Sequence, residues 1–179
     1  MNDILLESLT IYYENSNNLK KLNDILNNNI ISLRIIDWFV TNYSKKNNIF
    51  YEIYKTKNGK LTFNSDGNKF YKQMNVYQSY KSKLKSFNKK KFDPFCRKNR
   101  ILFLNYETTI GQLNFFQWAI DSLIIEYIQK NNKDIENDMF NNSTNIKKNS
   151  KERKKRQELS KSVSRGLNLN KRNIILNFN

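Results

Sequence analysis

TTIGQLNFFQWAIDSLIIEYIQK, residues 108–130, is the stretch on which the fold turns. Thr109 and Gln112 stand at capping-box spacing, where a hydroxyl accepts from an amide three residues on. Behind them Leu113, Phe116, Trp118, Ile120, Leu123, Ile124, Tyr127 and Ile128 fall around nearly the whole circumference of a helix. A helix apolar on all sides has no face to offer water, so it belongs at the centre of a core. The expectation is one helix over 110–130 with the rest of the chain packed around it.

Working outward, three shorter amphipathic segments precede it. Ile4, Leu5, Leu9, Tyr12 and Tyr13 keep helical spacing in DILLESLTIYY (3–13) behind Asn2 as a cap. Leu19, Leu22, Ile25 and Leu26 share one face over 18–27, and Ile35, Ile36, Trp38, Phe39 and Tyr43 do so over 32–45 behind Ser32. The period then drops to two in NIFYEIYKTKNGKLTFN (48–64), where Asn58-Gly59 marks a hairpin. Tyr51, Tyr54 and Phe63 read there as packing residues, since aromatics are enriched in strands. MNVYQSYKSKLKSFN (74–88) returns to helix, and RILFL (100–104) reads as a buried strand. A short acidic helix, DIENDMF, leads into NNSTN as a linker. KKNSKERKKRQELSKSVSRG follows as a helix with little to bury, and LNLNKRNIILNFN as a terminal strand.

The class expected is α+β: a mostly helical single domain around a central apolar helix, with a small antiparallel sheet from 49–55, 60–64, 100–105 and 172–178. In domain terms, 1–140 is a helical core with a hairpin, 141–150 a linker, and 151–179 a basic helix and terminal strand docked on the same domain. A chain of 179 residues suffices for one domain with a real core. No apolar stretch reaches the roughly 18 residues a membrane span needs. No basic n-region precedes an apolar run at Met1-Asn2-Asp3-Ile4, so no secretory signal is expected.

The 31 asparagines, with abundant Lys and Ile, reflect AT-rich codons before they reflect protein physics. The formal charge is +16 from 32 Lys and Arg against 16 Asp and Glu, and it is unevenly placed. Residues 81–100 hold nine cations and one acid, 147–172 eleven and two, so these two runs net +8 and +9 and the remainder −1. Clustered cations raise the local potential and gain entropy by displacing the counterions of a polyanion. The phosphate-binding candidates are Lys81, Lys85, Lys89, Lys90, Lys91, Arg97, Lys98 and Arg100 in the first run. In the second they are Lys151, Arg153, Lys154, Lys155, Arg156, Lys161 and Arg165. KERKKR (151–156) also has the form of a nuclear import signal.

Much chemistry is excluded at once. There is no histidine, hence no His-based triad, general base or metal site. One cysteine cannot make a disulfide, a zinc finger or an iron–sulfur cluster within this chain. Glycines at 59, 67, 111 and 166 allow neither a P-loop nor a dinucleotide fingerprint. Carboxylates at Glu52, Asp66, Glu107, Asp121, Glu126, Asp134, Glu136 and Asp138 give no acidic pair on adjacent strand ends, and Glu152-Arg153-Lys154 lies in a basic helical run. No enzyme, no cofactor and no metal is expected.

KKKFDPFCRKNRILF joins the only proline and the only cysteine. Arg97, Lys98 and Arg100 would stabilise a Cys96 thiolate, but there is no histidine base, and Phe92 and Phe95 speak for burial. Pro94 behind Asp93 stops the preceding helix, because the residue before proline is pushed out of helical geometry. Forked guanidinium donors on this turn suit phosphates; the competing reading is that they complement a helix C-terminus and pair with Asp93.

ISLRIIDWFVTNYSKKNN, YKSKLKSFNKKKFDPFCRKNRILF, ETTIGQLNFFQWAI and KKRQELSKSVSRG together resemble an uncharacterised protein family of nucleocytoplasmic large DNA viruses, the giant viruses. The likeness carries no catalytic residue over. It implies a setting of viral genome, transcripts and virion interior, and a place inside the host cell (cytoplasm, viral factory or nucleus) or packaged in the virion. The function expected is non-catalytic nucleic-acid binding through the two basic runs, DNA favoured over RNA, with no membrane partner. The alternative is a virion interaction protein whose basic helix docks on an acidic protein.

Overall fold

A computed structural model describes residues 2–27 and 31–149, with the side chains of 4–27 and 31–142. The chain divides into a compact unit, residues 1–141, and a second unit from Asn142 onward. The fold is α+β and mostly helical.

Helix α1 spans Asn2–Tyr13, α2 Ser16–Leu26 and α3 Leu33–Trp38. Short polar side chains start the second and third: Asn15 accepts from the amides of Asn17 and Asn18, and Ser32 from that of Ile35. Leu9, Tyr13, Leu22, Ile25, Ile35 and Ile36 are buried. The helix expected to run to 45 widens into a π-turn over Phe39–Tyr43 before a last turn, α4, at Ser44–Lys46. Thr41 and Ser44 donate back to the carbonyls of Asp37 and Val40 through this stretch, at 2.6 and 3.0 Å. Phe39 and Val40 both point inward as a result.

The hairpin forms where Asn58-Gly59 placed it. Strand β1 is Phe50–Lys55 and β2 Leu61–Thr62, and Gly59 takes φ +78, which its missing Cβ permits. A third strand, β3 at Lys69–Asn75, went unread in the sequence, and the sheet order is β2-β1-β3, all antiparallel. Its FYK core lacks clean alternation because the register shifts opposite Ile53/Tyr54, leaving Tyr71 unpaired. Met74, expected in a helix, therefore lies in a strand, facing Tyr51. Tyr51 and Phe63 pack on Tyr127 as expected, with ring centroids 5.2 and 6.4 Å away, and Tyr51 donates to the Ser122 carbonyl at 2.6 Å.

Helix α5 covers Val76–Lys91, starting under an Asn75 cap and kinking at Asn88, whose φ is +56. RILFL is not part of the main sheet. Strand β4, Ile101–Phe103, pairs only with β5, Tyr106–Thr108, across a two-residue turn in which Leu104 and Asn105 both have positive φ. Phe103 is buried, yet Leu102 points to solvent, so this is a surface hairpin and not a buried strand.

The stretch 108–130 is the core as expected, but as two helices: α6, Ile110–Asp121, and α7, Ile124–Lys130. Leu123 sits in the left-handed region at φ +52, with its amide on the Ile120 carbonyl at 3.1 Å. A pattern apolar all round carries no face whose drift would betray a break, so periodicity ran straight through it. The ends are instead fixed by distant partners: Tyr12 donates to Asp121 at 2.8 Å and Tyr51 to Ser122. Helix α8 then runs over Asn132–Asn149, so the NNSTN segment is helical. The strand expected at 172–178 and the basic helix lie outside the described residues.

Candidate functional site

The first basic run folds onto the N-terminal end of α6. Past the kink, Asn88 accepts from the Lys90 amide at 2.9 Å and so opens a further turn holding Lys89, Lys90 and Lys91. Phe92 is the anchor. It is 1% exposed, stacked on Phe87 and set against Tyr80, Phe115 and Trp118 at centroid distances of 5.2–6.3 Å. Pro94 is buried behind it, and the helix has ended by Lys91, as the proline implied.

Backbone groups of the corner are then pinned one by one. The Asp93 amide donates to the Gly111 carbonyl at 3.2 Å, and Asn114 Nδ2 to the Lys91 carbonyl at 2.8 Å. Gln112 Nε2 donates to the Pro94 carbonyl at 3.0 Å, and Thr109 Oγ1 to the Cys96 carbonyl at 3.4 Å. Thr109 caps α6 by accepting from the Gln112 amide at 3.2 Å. The Gln112 side chain does not close a reciprocal capping box; it spends its donor on the corner. Gly111 lets the two segments approach: a Cβ there would stand 3.1 Å from the Lys90 carbonyl oxygen and 3.2 Å from Cys96 Cβ.

Cys96 is half-buried, with Sγ 3.9 and 3.8 Å from the carbonyl oxygens of Lys90 and Lys98. It fills space between backbone segments, in keeping with the packing role read from the sequence. Asp93 does not pair with the arginines; its carboxylate accepts from the Phe95 amide at 2.8 Å. Arg100 pairs instead with Glu107 across the β4–β5 hairpin at 2.9 Å, both about half exposed. Asp37 of α3 lies close by: burial first, then the Asp93 charge, raises its carboxyl above the usual range, while Lys89 draws it down.

Lys89, Lys90, Arg97, Lys98 and Arg100 are exposed, and Lys91 is half-buried. Of these six, only Arg100 has a carboxylate at ion-pair distance among the described residues. Lys81 and Lys85, one turn apart on α5, line a shallow groove with Gln78, Ser82 and Leu84. Arg97 and Arg100 line a cleft with Cys96, Glu107, Thr108 and Gln112. Lys89, Lys90, Lys91, Arg97, Lys98 and Arg100 thus share the corner held on α6 and its cap, whereas Lys81 and Lys85 stand before the kink of α5, in a groove of their own. Lys151, Arg153, Lys154, Lys155, Arg156, Lys161 and Arg165 lie outside the described residues. A gathering of cations that the sequence reading missed surrounds the hairpin turn, where Lys55, Lys57 and Lys69 line one groove; KTKNGK was its signal. No described helix is long and apolar enough to cross a membrane.

A family model described as a family of unknown function (DUF7197) matches residues 1–176, and the chain belongs to that family. An uncharacterized protein of Acanthamoeba polyphaga mimivirus is 43% identical over 143 residues, 74% of this chain and 50% of that relative. The chain therefore spans about half the length of the curated relative it matches. The family resemblance to giant-virus proteins holds. No solved structure matches.

Proposed function

We propose that this member of a giant-virus family is a non-catalytic nucleic-acid-binding protein that holds phosphates through the corner at 81–100 and the basic run at 147–172. One observation carries the reading: five cations with no carboxylate at ion-pair distance among the described residues stand on a corner whose backbone is hydrogen-bonded to α6 and its cap at four points. A surface built for solubility alone would intersperse acids among the lysines and would not need a rigid mount. Rigidity lowers the entropy lost when flexible cations are ordered on a phosphate backbone. Arginines add forked donors that a lysine lacks.

The test is binding to labelled duplex DNA, single-stranded DNA and RNA across salt concentrations. With about six phosphate contacts, log affinity falls with log salt at a slope near −5 for duplex DNA. Replacing Arg97 and Lys98 by Glu weakens binding to any sequence and lowers that slope by about 2. Absent or salt-independent binding overturns the proposal. Binding that an acidic protein abolishes while free nucleic acid does not compete would favour a protein partner. Plasmid incubated with Mg²⁺ or Mn²⁺ should stay intact.

A further inference from the structure

A cleft of about 400 Å³ opens where the β1–β2 hairpin, the start of α2 and the break between α6 and α7 come together, and none of the basic corner's residues lines it. Its volume falls in the range of small-molecule sites, about 300–1,000 Å³. The helix wall is strained. Leu123, which lines the cleft, holds φ +52, a region that bulky side chains avoid. Beside it Ser122 Oγ is buried without a hydrogen-bond partner among the described residues. Asp121, also in the lining, is half-buried; Tyr12 donates to its Oδ1 at 2.8 Å, which leaves Oδ2 without a donor among the described residues. Backbone strain and a half-desolvated carboxylate at one cavity point to a site kept for function and not for stability.

The other walls carry the opposite charge. Lys55 belongs with Tyr51 and Ile53 to the face of β1 turned to the core, and the turn beyond it, closed by the Thr56 amide on the Lys60 carbonyl at 2.9 Å, sets Lys60 at the same end. Both lysines line the cleft and are exposed, with no carboxylate at ion-pair distance among the described residues. Lys21 joins them from α2, paired with Glu126 at 2.5 Å. Lysines without a partner select an anion, whereas a carboxylate in the same cavity repels a bare anion and accepts from hydroxyl or amino groups. A ligand that satisfies both carries phosphate at one end and donors at the other. Tyr71, left unpaired by the register shift and 51% exposed, adds to this lining a ring on which a flat group can stack. Phosphate, sugar hydroxyls and a flat base are the parts of a nucleotide.

We propose that this cleft binds a free nucleoside monophosphate, with Lys55 and Lys60 on the phosphate, Asp121 accepting from the sugar hydroxyls and the base against Tyr71. The inference goes beyond the polyanion reading and does not depend on it, because the corner and the cleft share no residue.

The test titrates the full chain by calorimetry with adenosine, guanosine, cytidine and uridine monophosphates, and with inorganic phosphate and adenosine as part-ligands. At least one monophosphate should bind about tenfold or more tighter than either part-ligand. K55E/K60E should weaken it by about tenfold or more, and its thermal melt should match the parent because both side chains are exposed. Asp121→Asn should weaken the monophosphate while binding inorganic phosphate no worse than the parent, since a repelling charge is gone. Tyr71→Ala should likewise weaken the monophosphate and leave inorganic phosphate unchanged. R97E/K98E, altered only on the corner, should bind the monophosphate as the parent does, whatever becomes of its nucleic-acid binding. Failure of all four monophosphates at millimolar concentration overturns the proposal, as does inorganic phosphate binding as tightly as they do. Binding that K55E/K60E leaves unchanged, or that R97E/K98E abolishes, places the ligand elsewhere and also overturns it. Equal loss of monophosphate and inorganic phosphate in Tyr71→Ala would do the same, since the ring would then not be reading a base.

Discussion

Replacing Gly111 by Ala tests whether the basic corner is held or merely rests on α6. In the first turn of a helix this substitution would ordinarily help, since Ala loses less backbone entropy than Gly, by up to about 1 kcal/mol. Here the new methyl carbon would stand 3.1 Å from the Lys90 carbonyl oxygen, 3.2 Å from Cys96 Cβ and 3.4 Å from its sulfur. Relief requires the corner to withdraw by a few tenths of an ångström. The corner cannot withdraw freely, because Asp93 and the carbonyls of Lys91, Pro94 and Cys96 are all bonded to residues of α6 or its cap. Overpacking of this kind costs about 1–3 kcal/mol. Taking the middle of that range, about 2 kcal/mol, less a helix gain of up to about 1 kcal/mol, leaves a net loss of about 1–2 kcal/mol, a fall in Tm of about 2–8 °C for a chain of this size. Thermal melts followed by far-ultraviolet circular dichroism measure it directly. Displacement of Arg97 and Lys98 should also weaken duplex binding severalfold. An unchanged or raised Tm would refute the argument, showing that the corner yields at no cost and is not rigid.

Two further outcomes follow from the same geometry. Cys96→Ser should leave polyanion binding within about twofold and the fold intact, because the hydroxyl can donate to the carbonyls that the sulfur now touches; a large loss of binding would return the thiol to consideration. Burial, aided by Asp121, raises the phenols of Tyr12 and Tyr13 well above their ordinary value, and burial does the same for Tyr51. Folded values above unfolded ones give stability that is whole below pH about 10 and lost as pH rises beyond it, at about 1.4 kcal/mol per pH unit for each of Tyr13 and Tyr51. Lys72, lowered by burial, offsets part of this near its own ordinary range. Denaturant midpoints should therefore drop steeply above pH 10, and phenolate absorbance should show a late fraction that appears only with unfolding. Simple titration of every tyrosine without loss of structure would contradict these burial assignments.

The sequence by itself determined what is coded over a few residues. Periodicity placed the helices and made 108–130 the centre; Ser32 and Thr109 mark helix starts because their side chains reach amides three residues on. Asn58-Gly59 fixed the hairpin through backbone conformations that few residues adopt. The clustering of cations in the first run was legible too, as was Pro94 as a stop. Asn15, which caps α2, went unread, because α2 starts at Ser16, two residues ahead of the start that spacing suggested.

Tertiary structure decided the rest, because the partners involved are far apart in the chain. The break at Leu123 is fixed by Tyr12 on Asp121 and Tyr51 on Ser122, contacts across 109 and 71 residues that no local pattern announces. Gln112 looked like half of a capping box and proved to be a clamp on Pro94, 18 residues away. Arg100 found Glu107 in place of Asp93. The bulge opposite Ile53/Tyr54 disguised β3, and with it the pairing that sets Phe70 beside Tyr54 and Lys69 against Lys55. Alternation assigns side chains to two faces of a strand, but only the packed fold decides which of those faces is left to solvent.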